Sequence, residues 1–159
     1  MGRPLAFGGD AALGDRDMDR LLAVGFKRVA TWRRMDTGEV RCEGAIPTGA
    51  GIYVFAVAGA IRYVGAAVNL SSRIHSYERH QNKPKPGRRP IHERLTEALG
   101  SGAKVEVYVL EPRFSDELTW KGLPIDPVLG IEAGLIASLN PSWNRRGKTS
   151  LLDSETVPP

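Results

Sequence analysis

The sequence predicts an α+β fold: an α/β sandwich in which a small, mostly antiparallel three-stranded sheet is flanked by helices, with a helix and hairpin appended at the N-terminus. Three observations carry that expectation. Residues 51–64 alternate about Ala58-Gly59-Ala60, the pattern of two half-buried strands joined by a tight turn. Val105, Val107 and Val109 alternate strictly with their neighbours, which reads as a third strand. Behind the hairpin and on either side of that strand, residues 70–77, 91–99 and 128–139 have helical spacing.

The elements follow in order. Residues 1–14 are rich in Gly and Ala without a sustained period and are expected to be a flexible leader. Residues 15–24 begin acidic, end in Leu21 and Leu22 and stop at Gly25, the layout of a short helix. Residues 26–34 and 39–43 read as strands joined through Asp36-Thr37-Gly38, and with the helix they make the appendage 15–46. Trp32 is expected to pack there, not to stack on a base. The core, 47–148, starts with a short linker and the hairpin, and Asn69 is placed to cap the helix that follows. Three prolines within 81–90 forbid regular structure and require a loop. Residues 91–99 form a helix stopped by Gly100-Ser101-Gly102, and 104–110 the third strand. Residues 111–127 read as irregular, with Trp120 expected to pin that loop to the core. The helix 128–139 turns Val128, Ile131, Leu135 and Leu139 inward with Glu132 at the edge of the stripe, and 149–159 reads as a disordered tail.

Composition bounds what the chain does. Its 159 residues suffice for one well-buried core and are few for two. With 25% charged and 42% hydrophobic residues it is neither disordered throughout nor a membrane protein. No apolar run is long enough to cross a bilayer and no signal peptide opens the chain, so a cytoplasmic location and no membrane partner are expected. The single cysteine, Cys42, excludes an intramolecular disulfide and a Cys-rich zinc site. A net charge of +4 favours a polyanionic partner, and its placement says more than its sum. Arg33 and Arg34 form one basic cluster. Lys83, Lys85, Arg88 and Arg89 form a second, and Arg145, Arg146 and Lys148 a third. The last two make Lys83, Lys85, Arg88, Arg89, Arg145 and Arg146 the candidate nucleic-acid contacts, with a solvated surface as the alternative for each.

Five elements then stand in a telling order. Gly51-Ile52-Tyr53 opens the hairpin and Tyr63-Val64-Gly65 lies on its second arm. Arg73 and Tyr77 share a face of the next helix, Gly130-Ile131-Glu132 begins a later one, and Asn140-Pro141-Ser142-Trp143-Asn144 closes the segment. This order resembles the GIY-YIG nuclease superfamily, its restriction enzymes included, over residues 51–147. The resemblance implies a Mg²⁺-dependent endonuclease, with Mn²⁺ as a substitute ion, that hydrolyses DNA phosphodiesters in a single-metal site. Tyr53, Tyr63, Arg73, Tyr77, Glu132 and Asn144 would be its catalytic set and Glu132 its metal ligand. Single- or double-stranded DNA is the expected partner, with RNA and the oligomeric state left open. His75, His80 and His92 stay outside the set.

The residue types suit that chemistry. An anionic ester repels nucleophiles, so hydrolysis needs an oriented water, charge on the non-bridging oxygens and help for the leaving oxygen. A forked guanidinium such as Arg73 matches phosphate geometry, and Mg²⁺ accepts a single protein carboxylate. Tyr53 would orient or deprotonate the water, helped by its surroundings because a free phenol titrates near ~10. The amide of Asn144 would hold the metal-bearing loop or a phosphate oxygen. One departure is Ala66, where many family members carry a lysine. The alternative is a catalytically weak or inactive module of this fold that binds nucleic acid, or a subunit of a repair or defence assembly.

Overall fold

A computed structural model describes residues 14–79 and 90–144. Its central sheet has five strands, β1 (Lys27–Arg34), β2 (Val40–Gly44), β3 (Gly51–Val57), β4 (Ala60–Ala67) and β5 (Val105–Leu110), in the spatial order β2-β1-β5-β3-β4. All neighbours pair antiparallel. The three-stranded expectation is therefore corrected. The two N-terminal strands are not a separate appended hairpin, because β1 pairs along β5 from Lys27 opposite Val109 to Trp32 opposite Val105. The reason is that β5, with Val105, Val107 and Val109 buried, needs a partner on each edge. Trp32, 2% exposed, supplies the apolar surface, with its ring edge-on to Phe55 at 5.7 Å.

Four helices cover the sheet. Helix α1 (Gly14–Ala23) and α4 (Pro127–Leu139) lie on the face formed by Ile52, Val54, Ala56 and Val64. Helices α2 (Leu70–His75) and α3 (Ile91–Gly100) lie on the face formed by Tyr53, Phe55, Val105 and Val107. Strand β3 is thus buried on both faces, not half-buried. The caps explain the boundaries. Phe26 N bonds Leu21 O and Gly25 N bonds Leu22 O, with Gly25 at φ 113°, so α1 ends in a left-handed glycine stop. Asn69 accepts from Ser72 N at 2.9 Å to start α2, and Asp126 accepts from Val128 N and Leu129 N to start α4. Tyr77 lies beyond α2, in a 3₁₀ turn, Ser76–Glu78.

The stretch expected to be irregular contains a short ribbon, β6 (Thr119–Trp120) and β7 (Leu123–Pro124), turned at Lys121-Gly122. Trp120 does not pin it to the core: the ring is 60% exposed, with Lys121 Nζ 4.8 Å from its centroid. Only two residue pairs of ribbon are available, too few to bury a side chain of that size. Among the described residues no helix is long and apolar enough to cross a membrane.

Candidate active site

The β3–β4 hairpin places two phenols on one face of the sheet. Phe55 pairs with Tyr63 and Tyr53 pairs with Gly65 in register, so Tyr53, Phe55 and Tyr63 point together toward α2 and α3. Gly65 makes this arrangement fit, because a Cβ there would overlap the ring and hydroxyl of Tyr53. Gly51 is constrained in the same way, by the Leu110 carbonyl on β5 and by Leu70 of α2. The glycines of both triplets are thus spatial requirements of the tyrosine face.

Tyr77 completes the group. The ring centroids of Tyr53, Tyr63 and Tyr77 stand 6.0 to 6.2 Å apart in a near-equilateral triangle, with Phe55 against all three. At its centre the Tyr77 hydroxyl lies 2.6 Å from that of Tyr53 and 3.2 Å from that of Tyr63. Burial pushes the Tyr53 phenol well above its ordinary range, and the neighbouring tyrosines push it further. Burial does the same to Tyr63. Arg73 opposes both shifts without reversing them. Its guanidinium sits 5.3 Å from the Tyr77 ring centroid, and the tyrosines hold its own pKa above the usual arginine value.

No carboxylate among the described residues neutralises Arg73. Glu78, the neighbour best placed in sequence to do so, is turned away: it accepts from Cys42 N at 2.9 Å and from Arg41 Nη1 at 3.3 Å. His92 Nδ1 lies 2.9 Å from the Tyr77 carbonyl oxygen, which can only accept, so that nitrogen carries the proton. His75 is bound in its own helix, to Ser71 O at 2.8 Å.

Glu132 is on the second turn of α4 and half-buried. It makes no hydrogen bond or ion pair with any described residue, Arg73 and the tyrosines among them. Among those residues no group of three or more His, Cys, Asp or Glu is placed to hold an ion. A half-buried carboxylate without a partner among the described residues is compatible with Mg²⁺, which keeps several waters when bound.

Asn144 reaches β4 from its open edge. After α4 ends at Asn140, in the left-handed region at φ 44°, the chain turns along β4 and Trp143 N bonds Arg62 O at 2.8 Å. Trp143 packs on the tyrosine side of the sheet. The Asn144 amide pairs twice with Val64, accepting from its N–H at 2.9 Å and donating to its carbonyl at 2.8 Å. That amide is committed to the main chain of β4.

The structure therefore gathers Tyr53, Tyr63, Tyr77 and Arg73 into one cluster and lays Asn144 along β4, while Glu132 belongs to α4, which packs on the other face of the sheet from the tyrosines. Lys83, Lys85, Arg88, Arg89, Arg145 and Arg146, along with His80, lie outside the described residues. Arg33 is paired with Glu43 at 3.0 Å. Arg41 and Glu78 escaped the sequence reading, and His92 was set aside in it, because their contacts join β2, the 3₁₀ turn and α3 across long separations and no local pattern marks them.

A five-stranded antiparallel sheet with helices on both faces is an α+β fold, and it is similar to that of GIY-YIG nucleases. A glutamate-to-alanine mutant of bacteriophage T4 EndoII has a structure similar to that of this chain, with a TM-score of 0.64 and 22% identity over 83% of this chain and 99% of that one. The restriction endonuclease Hpy188I in complex with product DNA aligns more loosely, with a TM-score of 0.44 and 15% identity over 94% of this chain and 98% of that one. No family model and no curated protein matches the sequence.

Proposed function

We propose that this chain is a Mg²⁺-dependent endonuclease that hydrolyses DNA phosphodiesters, with residues 47–148 as its nuclease core. One observation carries the reading: an arginine with no carboxylate partner among the described residues stands over a buried triangle of hydrogen-bonded tyrosines. A structural arginine would be expected to find a counter-ion, whereas one that awaits phosphate would not.

In this mechanism Arg73 grips the non-bridging oxygens of the scissile phosphate through two parallel N–H donors and stabilises the charge that builds on them. The hydroxyls of Tyr53, Tyr77 and Tyr63 form a chain in which Tyr77 bridges the other two. Because burial holds Tyr53 and Tyr63 protonated at neutral pH, they orient the attacking water and relay its proton; they do not store a negative charge. The water oxygen bonds to phosphorus, the bond to the 3′ oxygen breaks, and the products are a 5′-phosphate and a 3′-hydroxyl. Glu132 would hold Mg²⁺, which when bound supplies charge stabilisation and acidifies water. Asn144 secures the edge of β4 between Tyr63 and Gly65. DNA is the substrate proposed, and RNA is a second arm of the test.

The test incubates purified protein with plasmid, single-stranded DNA and RNA, in Mg²⁺, Mn²⁺ or chelator, beside Tyr53→Phe, Arg73→Ala and Glu132→Ala. Metal-dependent cutting by wild type, with variants that bind and do not cut, supports the enzyme. Ala66, in place of a lysine common in the family, favours one other reading: a module that binds nucleic acid with little turnover. Salt-sensitive binding without cutting on every substrate would select it.

A further inference from the structure

The Tyr77 hydroxyl is the hub of the cluster, yet the segment that carries it is short. Helix α2 has six residues and the 3₁₀ turn three, too few to hold a side chain in place by their own hydrogen bonds. One contact within the segment and two from other elements fix the turn. Ser76 Oγ donates to Arg73 O at 2.5 Å and closes it onto α2. His92, on the first turn of α3, donates to the carbonyl of Tyr77 itself. The Glu78 carboxylate, with its side chain 13% exposed, uses both oxygens on β2, one on Cys42 N and one on Arg41. Arg41 is in turn held by Glu39 at 3.0 Å. These groups line a cleft of about 530 Å³ behind Tyr77 that is bounded by Glu39, Arg41, Glu78, Arg79 and His92.

We infer that Glu78, Arg41 and His92 are positioning residues: together they set the Tyr77 hydroxyl between Tyr53 and Tyr63 and keep the Glu78 carboxylate from neutralising Arg73. The two effects have one cause. Glu78 is five residues from Arg73 and adjacent to Tyr77, so a carboxylate released from β2 would be drawn toward a guanidinium of its own segment, Arg73 or Arg79, and would pull the turn with it. The Cys42 N–H and the Arg41 fork offer that carboxylate two donors, one of them charged, in a fixed geometry. This inference rests on the nuclease reading for its catalytic consequence, and on geometry alone for its effect on Tyr77.

The test uses both consequences. The full chain has four tyrosines, so 3-fluorotyrosine labelling gives four ¹⁹F resonances, assigned by single Tyr→Phe variants. Tyr108, on the other side of the sheet, is the internal reference. In Glu78→Ala and Arg41→Gln the Tyr77 resonance should move and that of Tyr108 should stay. The kcat for DNA cleavage should fall tenfold to on the order of a hundredfold, with KM little changed. Glu78→Gln, which keeps an acceptor for Cys42 N, should recover part of both. Glu43→Gln, which breaks the Arg33 pair on the same strand, should do neither. Should Glu78→Ala fail to fold, Arg41→Gln and Glu78→Gln decide the question. An unmoved Tyr77 resonance in folded variants overturns the inference whether or not the protein cuts DNA. A moved resonance with unchanged kcat overturns the catalytic part. A wild type that cuts nothing overturns the nuclease reading and leaves the resonance test to decide the geometry.

Discussion

The hydroxyl oxygens of Tyr53 and Tyr77 lie 2.6 Å apart, and the two residues are 1% and 4% exposed. Two phenols from different elements meet out of water, so burial makes the Tyr53 proton costly to lose and each hydroxyl supplies the other with a hydrogen-bond partner. Tyr53→Phe removes that partner and leaves the aromatic packing in place. It should abolish at least about 99% of cleavage while costing about 1 kcal/mol of stability, checked by cleavage kinetics and by urea unfolding of the same preparation.

Alkaline behaviour should report the same burial. Burial holds the phenols of Tyr53 and Tyr63 above their ordinary range, so the folded state keeps protons that the unfolded chain would release. Their contribution to stability is therefore complete below pH ~10 and is lost as pH rises beyond it. Absorbance titration of tyrosinate alongside circular dichroism should show these two ionising with unfolding and not before it. Tyr53→Phe should make the alkaline loss shallower.

Asn144 tests whether a family residue acts through the fold. Both ends of its amide pair with the main chain of Val64, and loss of two such bonds costs about 2 kcal/mol. Asn144→Ala should therefore lower the urea midpoint as well as the rate. A full-strength fold with lost activity would place its role at the substrate instead.

Two glycines should respond in opposite directions to alanine. Gly65→Ala forces a methyl into Tyr53 and should cost about 1–3 kcal/mol, with cleavage lost as the phenol is displaced. Gly134, in α4, has nothing within 4 Å of the added Cβ, so Gly134→Ala should stabilise by about 0.5–1 kcal/mol through helix propensity and a less free unfolded chain. Thermal melts of the two variants check both signs.

Local signals made much of this molecule legible. The turn at Ala58-Gly59, the Asn69 cap, the valine alternation of β5 and the period of α4 each depend on neighbours in sequence, and each was readable there. The convergence of Tyr53, Tyr63, Arg73 and Tyr77 was legible because the hairpin and the helix behind it are consecutive. What stayed hidden is long-range. The pairing of β1 with β5 joins residues some eighty positions apart, so the N-terminal strands looked like an appendage. The bond between Glu78 and Cys42 N has no local trace. Trp120 was misread because an aromatic residue carries the same expectation of burial whether or not a surface exists to receive it.

The way Trp143 and Asn144 lie along β4 has a further consequence for self-association. A sheet's last strand offers unpaired amides and carbonyls on which another copy can polymerise, and here the Arg62 carbonyl and both polar groups of Val64 are already occupied. The opposite margin, β2, is defended by the charges of Arg41 and Glu43. A chain cut after Asn140 would lose the first of these guards, and its hairpin would become a template for strand-by-strand fibre growth.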